Sequence, residues 1–283
     1  MLKPTLSNSN SLLLDIGNTR TKWALIDLSK SLQEVDFTRQ PSGATVNQKD
    51  LIIQECRQLL TALTSVDRMI NQILICSVNQ KQWIQVWTDY FQGVFPTIDV
   101  IQLHGDTFIP NLHNAYDEPA SLGADRWAAI IAASQLAPLQ NCLIINSGTA
   151  TTIDFLEHGN VFVGGSILPG VSLSLEALQS QTARLESNMT SEKFNCFEPS
   201  STLQFSKNTK SAIFNGVMQG QIGAIKQALE LAPQTSTMIF SGGNGPLILK
   251  HLYSQISPTL QIIEDPYLVL RGLFFWQQYF QNH

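Results

Sequence analysis

Short aliphatic runs alternate with longer segments of helical apolar spacing in the first half of the chain. Apolar runs of about four to eight residues bounded by polar or glycine residues are typical of strands, and a repeat of three to four residues is typical of helices. The pattern predicts strands at 12–15, 22–28, 72–78 and 97–103, and helices at about 48–62 and 81–92. Strands that alternate with helices indicate an α/β sheet.

The second half of the chain continues this alternation after a loop-like segment, residues 104–120, which contains two prolines. Glycine-containing turns bound the expected strands, and helical spacing marks the expected helices. The pattern predicts a helix at about 123–137 and then three strands within 141–170, with turns at 148 and 158–160. It predicts an exposed excursion at 180–206 and a helix at about 207–231. From residue 237 it predicts a strand, a glycine-rich turn and a helix, followed by a strand at 260–265 and a closing helix.

Two segments about half a chain apart have the same pattern of residues. They are LLLDIGNT at 12–19 and LIINSGTA at 143–150, and each has aliphatic residues, a polar residue, one spacer, a glycine and then a hydroxyl residue. Each also opens a run of strands. The repeat predicts an internal duplication with two domains, 1–138 and 139–283, in which the last helix could pack back on the first domain.

Composition and charge narrow the possible partners. The net charge is −5 and no basic run is present, which argues against nucleic acid as the main partner but not against a nucleotide. The four cysteines form no CxxC pair, which favours buried free thiols over a metal or redox site. The N-terminus is polar and no apolar stretch reaches 18 residues, so we expect a cytoplasmic protein with no membrane partner.

The first candidate for chemistry is the segment from Asp15 to Thr19 together with Lys22. A glycine in a hairpin turn allows backbone N–H groups to approach a polyphosphate, and Lys22 adds a cation. Asp15 would repel phosphate unless it holds Mg²⁺, directly or through water. The alternative is an ordinary hairpin with a turn glycine and a capping aspartate.

Three further segments carry candidate residues, each with a structural alternative. Asp125 and Arg126 open a helix, where the aspartate could accept a proton from a substrate hydroxyl or could simply cap the helix. Residues 146–152 could donate to phosphates from the other side, or form a threonine-rich edge strand. Residues 241–245 could pack against an adenine ring or ribose, or simply connect a strand to a helix.

Taken in order, these motifs resemble those of type III pantothenate kinases, a family of the actin/hexokinase/Hsp70-like ATPase superfamily. The matching pieces span nearly the whole chain: Asp15–Lys22, Tyr116, Gly123–Arg126, Asn146–Thr149, Gly164–Gly170, Lys207–Thr209, Gly242–Gly243 and Asp265–Leu270. The resemblance implies a duplicated actin-like (ribonuclease H-like) α/β fold with mixed sheets flanked by helices. It also implies ATP-dependent phosphorylation of the 4′-hydroxyl of pantothenate, the first step of coenzyme A biosynthesis.

The resemblance also implies a role for individual residues. The implied ATP contacts are Asp15, Ile16, Gly17, Asn18, Thr19, Arg20, Thr21, Lys22 and Thr149, with Asp15 acting on Mg²⁺ through the phosphates. The implied pantothenate contacts are Tyr116, Gly123, Ala124, Asp125, Arg126 and Thr209, with Asp125 as the general base.

Members of the family are dimers that require a divalent cation and a monovalent cation, K⁺ or NH₄⁺. The family usually has an aspartate where this chain has Asn146, and that carboxylate is associated with the monovalent cation. Asn146 can offer an amide oxygen but no charge. Gly216, Gly220 and Gly223 would allow close helix approach at a dimer seam, or equally inside one subunit.

Two other functions compete with the kinase. One is a non-catalytic accessory or regulatory protein of the same fold, and the other is an actin-like enzyme with a different acceptor. The combined presence of Asp15, Lys22, Asp125, Arg126 and Thr149 favours catalysis, since a binding module needs no base. Tyr116 beside the GADR segment suits a small polar acid as acceptor.

Overall fold

The computed structural model describes residues 10–17, 20–27, 37, 41–44, 48–64, 70–181 and 205–281. Contacts divide the chain into two compact units, Met1–Gln135 with Tyr267–His283 and Leu136–Pro266. The sequence pattern places the boundary between residues 138 and 139. In the structure the closing helix belongs to the first unit, because it packs on that unit's strands.

Eleven strands and seven α-helices can be assigned in the described part of the chain. In chain order they are β1 (Asn10–Ile16), β2 (Arg20–Asp27), β3 (Pro41–Ala44), α1 (Lys49–Thr64), β4 (Ile70–Ser77), α2 (Lys81–Val94), β5 (Asp99–Gln102), β6 (His113–Asn114), α3 (Ala124–Leu136), β7 (Cys142–Ser147), β8 (Ala150–Glu157), β9 (Val161–Pro169), α4 (Val171–Gln181), α5 (Thr209–Leu231), β10 (Thr237–Ser241), α6 (Gly245–Leu252), β11 (Gln261–Glu264) and α7 (Leu268–Gln281).

The two sheets share the order and directions of five strands. In the first unit the strand order is β3-β2-β1-β4-β5. Strand β2 runs antiparallel to its neighbours β1 and β3, and β4 and β5 run parallel to β1. In the second unit β9, β8, β7, β10 and β11 repeat this order and these directions. The duplication predicted from the two repeated segments is therefore confirmed, since β1 and β7 occupy the same place in each sheet.

Strand β1 is buried on both faces, which explains its continuous apolar run. Leu12, Leu14 and Ile16 belong to a core that also takes in side chains of α1 and α2. Because side chains alternate along a strand, Asp15 lies on the opposite face, with Ser11. There Ser11 and Gln72 accept hydrogen bonds from Gln277 of α7, which ties the closing helix to the sheet.

Helix α3 follows the long loop at 104–122 and packs closely against α7. A Cβ atom at Gly272 would lie 1.9 Å from the carbonyl oxygen of Ala128, so only a glycine permits this backbone approach. The hydroxyl of Tyr279 accepts a hydrogen bond from Gln135 at 2.9 Å farther along the same pair of helices. These contacts hold the helix that carries Asp125 and Arg126 within the first unit.

Most elements predicted from the apolar pattern are present within a few residues of the expected bounds. Helix α4 is the main omission, because VSLSL at its start alternates like a strand and so hides the helical repeat. Strand β3 was also not predicted, since its sequence PSGA contains no apolar run. The excursion predicted at 180–206 lies almost entirely outside the described residues.

Candidate active site

The first group of candidate residues lies on the β1–β2 hairpin of the first unit. Asp15 stands one residue before the end of β1, and its partners in the neighbouring strands are Lys22 of β2 and Cys76 of β4. Its side chain is only 9% exposed. Burial raises the pKa of Asp15 to about 6; Lys22 opposes this rise and Asp125 adds to it.

The remaining hairpin residues differ in what they can offer a ligand. Ile16 and Thr21 are buried, so a ligand could meet only their backbone atoms. Gly17 is half-buried directly after β1. Arg20 begins β2, and the predicted contacts Asn18 and Thr19 lie outside the described residues.

Ser77, at the end of β4, supports the end of β1 and was not predicted from the sequence. Its hydroxyl donates to the carbonyl oxygen of Ile16 at 3.2 Å and accepts from the backbone N–H of Asn79 at 3.0 Å. The carboxyl ends of adjacent parallel strands meet at one edge of a sheet, which is where ligands bind in α/β proteins. That rule, applied to QILICSV, could have identified Ser77.

Asp125 lies in the first turn of α3 and is held there by local contacts. Its Oδ1 accepts a hydrogen bond from the backbone N–H of Arg126 at 2.8 Å. A Cβ atom at Gly123 would lie 2.8 Å from the same oxygen, so the glycine leaves room for the carboxylate. Ala124, between them, is buried as the first residue of the helix.

Burial raises the pKa of Asp125, although the hydrogen bond from Arg126 and the charge of Arg126 act in the other direction. Its charge in turn raises the pKa of Asp15, so the two carboxylates lie within electrostatic reach of each other. Cys76 is fully buried beside them. Burial and both carboxylates raise the pKa of the Cys76 thiol well above its usual value, which makes it an unreactive neighbour.

Tyr116 and Arg126 form the next pair. The Arg126 guanidinium donates to the Tyr116 hydroxyl at 2.6 Å and lies 5.4 Å from the centre of its ring. Arg126 is 5% exposed, so its orientation is defined by these contacts. The backbone N–H of Tyr116 donates to Asn114, whose amide donates to the carbonyl oxygen of Gly105. The loop thus fixes Tyr116 against the start of α3.

The second repeated segment forms the β7–β8 turn of the second unit. Asn146 is half-buried, Gly148 and Thr149 are exposed, and Ser147 is buried with its hydroxyl 2.8 Å from that of Thr151. Thr152 stands opposite Asn146 across the strands. The buried Thr152 hydroxyl forms no hydrogen bond with any of the described residues.

The glycine-rich turn after β10 packs on the end of β7. Gly242 has φ +80°, and a Cβ atom there would lie 2.3 Å from the carbonyl oxygen of Ser147. That oxygen accepts the backbone N–H of Asn244 at 3.0 Å. No described atom lies within 4 Å of a Cβ placed at Gly243. Gly242 therefore serves the strand connection, and Gly243 is open to a ligand.

Thr209 is the exposed first residue of α5. The preceding Asn208 caps the helix by accepting the backbone N–H of Ser211 at 2.9 Å. Among the described residues, no three His, Cys, Asp or Glu side chains cluster to form a metal site from protein ligands alone. No helix in the described ranges is long and apolar enough to cross a membrane.

Comparisons with known proteins agree with this arrangement. The family model described as type III pantothenate kinase matches residues 11–230. The type III pantothenate kinase of Herminiimonas arsenicoxydans is 34% identical over 249 residues, covering 85% of this chain and 89% of the relative. That of Pseudoalteromonas translucida is 29% identical over 272 residues, covering 96% and 97%.

Solved structures share the fold at low sequence identity. The ethanolamine utilization protein EutJ of Carboxydothermus hydrogenoformans matches with a TM-score of 0.56 and 11% identity, over 97% of this chain and 92% of its own. The polyphosphate/ATP-glucomannokinase of Arthrobacter sp. matches at 0.52 and 13%, over 97% and 100%. These likenesses confirm the actin-like fold. The chain belongs to the type III pantothenate kinase family, which uses ATP and a divalent cation to phosphorylate pantothenate in coenzyme A biosynthesis.

Proposed function

We propose that this chain transfers the γ-phosphoryl group of ATP to the 4′-hydroxyl of pantothenate, with Asp125 as the residue that accepts the hydroxyl proton. The observation that carries the proposal is the position of Asp125 in the first turn of α3, where Arg126 and Gly123 fix its carboxylate and where its charge raises the pKa of Asp15 in the same unit. A carboxylate suited to a phosphate-bound cation thereby lies near a second carboxylate at the start of a helix. Such pairs with raised pKa values are typical of sites that move protons.

The proposed step uses few protein groups. The 4′-oxygen forms a bond to the γ-phosphorus, the bond from that phosphorus to the β–γ bridging oxygen breaks, and the hydroxyl proton passes to Asp125. The raised pKa of Asp125 suits a base that works near neutral pH. Phosphoryl transfer depends mainly on positioning and charge neutralisation, so Asp125 also orients the hydroxyl.

Arg126 and Tyr116 are proposed to hold the carboxylate of pantothenate. Arg126 can form charge-assisted hydrogen bonds with a carboxylate, and Tyr116 fixes the plane of its guanidinium. Thr209, exposed at the start of α5, is proposed as a further contact to pantothenate.

The hairpin around Gly17 and the exposed Thr149 are proposed to bind the phosphates of ATP, with Lys22 as the cation. Mg²⁺ is usually held by one or two carboxylates together with water and substrate phosphates. Asp15 fits that role, because a single buried carboxylate at the strand end is what such a site needs from the protein. When bound, the ion would neutralise charge on the transferring group.

We also propose a weak monovalent cation site at Asn146. The amide oxygen of Asn146 and the buried hydroxyl of Thr152 stand on paired positions of β7 and β8. Both are neutral oxygen ligands of the kind that K⁺ accepts. The absence of a carboxylate at position 146 would lower the affinity for K⁺ or NH₄⁺.

A homodimer working in the cytoplasm completes the proposal. Gly216, Gly220 and Gly223 are exposed on α5, and no described atom lies within 4 Å of a Cβ placed at any of them. Open glycines on a long helix allow the close approach of a second helix. Light scattering with detection of absolute mass tests this: a monomeric mass across micromolar concentrations would contradict it.

The activity is tested with purified protein, MgATP and pantothenate at high K⁺ or NH₄⁺. We expect ADP formation that requires pantothenate, and a product with the mass of 4′-phosphopantothenate. ADP formation with no pantothenate requirement would indicate a different acceptor. No ADP formation under any of these conditions would favour the non-catalytic accessory protein.

A further inference from the structure

Pro169, the last residue of β9, and Gly170 form the linker to α4, which is packed directly on the β7–β8 turn. The backbone N–H of Gly170 donates to the carbonyl oxygen of Thr149 at 2.9 Å. A Cβ atom at Gly170 would lie 2.3 Å from the carbonyl oxygen of Gly148 and 2.6 Å from that of Thr149. The position of the Gly148–Thr149 turn is therefore set by the position of the linker, with no space for adjustment between them.

Gln221 of α5 holds this linker from its other side. Its Nε2 donates to the carbonyl oxygen of Pro169 at 2.8 Å. Gln221 is 3% exposed and lies on the buried stripe of α5, between Met218 and Ile225. The same carbonyl oxygen of Pro169 also accepts a hydrogen bond from the Ser174 hydroxyl of α4 at the longer distance of 3.3 Å. Two hydrogen bonds, from Gln221 to Pro169 and from Gly170 to Thr149, thus connect α5 to the turn.

Stability alone does not explain a glutamine at this position. The other buried residues of α5, among them Met218, Ile222 and Ile225, all belong to the apolar core of the second unit. The Oε1 atom of Gln221 is buried and has no hydrogen-bond partner among the described residues. An unsatisfied buried amide oxygen is destabilising, and an apolar side chain of similar volume would avoid that cost.

We propose that Gln221 is a positioning residue for the nucleotide, acting through Pro169 and Gly170 on the turn that contacts the phosphates. The inference rests on the proposed role of Thr149 in ATP binding and adds a residue that touches neither substrate. Loss of the Gln221 amide would let the linker move and would loosen the turn. Affinity for MgATP should then fall, while pantothenate binding by the first unit should be spared.

Gln221→Met tests this, because methionine matches the volume of glutamine but cannot donate to Pro169. We expect the Kd for MgATP, measured by titration calorimetry, to rise about fivefold, as for the loss of one net hydrogen bond. The melting temperature should change little, because the loss of the hydrogen bond to Pro169 and the removal of the unpaired oxygen act in opposite directions. Gln227→Met, at an exposed position of the same helix, is the matched control and should change neither quantity.

The Kd and the melting temperature together distinguish a positioning role of Gln221 from a purely structural one. They also distinguish failure of this inference from failure of the proposed function. A lower melting temperature with an unchanged Kd would make Gln221 a purely structural residue and overturn the inference, as would a variant indistinguishable from wild type. In the kinase assay the KM for ATP should rise with little change in the KM for pantothenate. Because calorimetry needs no acceptor, the inference is tested even if pantothenate is not phosphorylated.

Discussion

The carboxylate of Asp125, at the start of α3, raises the pKa of Asp15, at the end of β1. The two residues are far apart in the sequence, and each belongs to a different motif. Helix α3 is held against α7, and α7 is bonded to the sheet that contains β1. This chain of contacts brings within electrostatic reach of each other the two carboxylates that we propose as the cation ligand, Asp15, and the base, Asp125.

The pH dependence of kcat/KM should reflect this pair. Burial raises the pKa of Asp15 to about 6 and raises that of Asp125 above its usual value. Both must lose their protons to act, so activity should fall as the pH drops through about 6 and not near 4, the ordinary range of aspartate. A profile from pH 5 to 9 checks this. A rate that stays flat down to pH 5 would contradict it.

Asp125→Asn should lose most of its turnover while keeping its fold. The amide cannot accept the hydroxyl proton, and positioned bases contribute about a hundredfold to ten-thousandfold in rate. The matched control is Asp117→Asn, an exposed aspartate in the loop before α3, which should keep full activity. Steady-state kinetics and circular dichroism measure the two effects. Unchanged turnover in the Asp125 variant would remove it from the base role.

Tyr116→Phe should weaken pantothenate binding selectively. The change removes the hydroxyl that accepts a hydrogen bond from the Arg126 guanidinium at 2.6 Å, and it keeps the aromatic ring that the guanidinium lies over. Hydrogen bonds to charged groups contribute enough to expect a KM for pantothenate raised by about tenfold. The KM for ATP should change little. Equal increases in both constants would mean that Tyr116 supports the fold and not the acceptor site.

Asn146→Asp should lower the K⁺ or NH₄⁺ concentration that gives half-maximal rate. A carboxylate adds the charge that the amide lacks, and the strand position is unchanged. Rates measured across a titration of each cation provide the comparison, with Asn160→Asp in the exposed β8–β9 turn as control. If both variants behave as wild type, position 146 is not part of a monovalent cation site.

Glu55→Gln should stabilise the protein at alkaline pH. Burial raises the pKa of Glu55 to about 7, and neither carboxyl oxygen has a hydrogen-bond partner among the described residues. The unfolded chain loses this proton near 4.5 and the folded chain only near 7, so the free energy of unfolding falls as the pH rises between these values.

The gain from glutamine should reach at most about 3 kcal/mol at pH 8 and should shrink towards pH 5. Urea unfolding of both proteins at the two pH values gives the difference. Equal stability of the two proteins at pH 8 would show that Glu55 ionises without cost. Glu230→Gln, which makes the same change at an exposed position near the end of α5, is the matched control.

The sequence by itself determined the elements and the motifs that depend on neighbouring residues. Apolar runs bounded by turn residues predicted most strands, and the repeat of LLLDIGNT in LIINSGTA predicted the internal duplication that appears as five strands of the same order in each sheet. The start of α3 at Ala124, with Asp125 in its first turn, followed from the GADR segment. These features are local, so spacing and residue type are enough to identify them.

Only the tertiary structure decided which distant groups meet. Gln221 carries no local signal, because its role comes from the carbonyl oxygen of Pro169, which another element supplies. In the glycine-rich turn, Gly242 packs on Ser147 and serves the connection from strand to helix, whereas a ligand contact at the open Gly243 stays a prediction. Hydrogen bonds and close packing across a sheet depend on the approach of whole elements, and that approach cannot be derived from the spacing of residues along one chain.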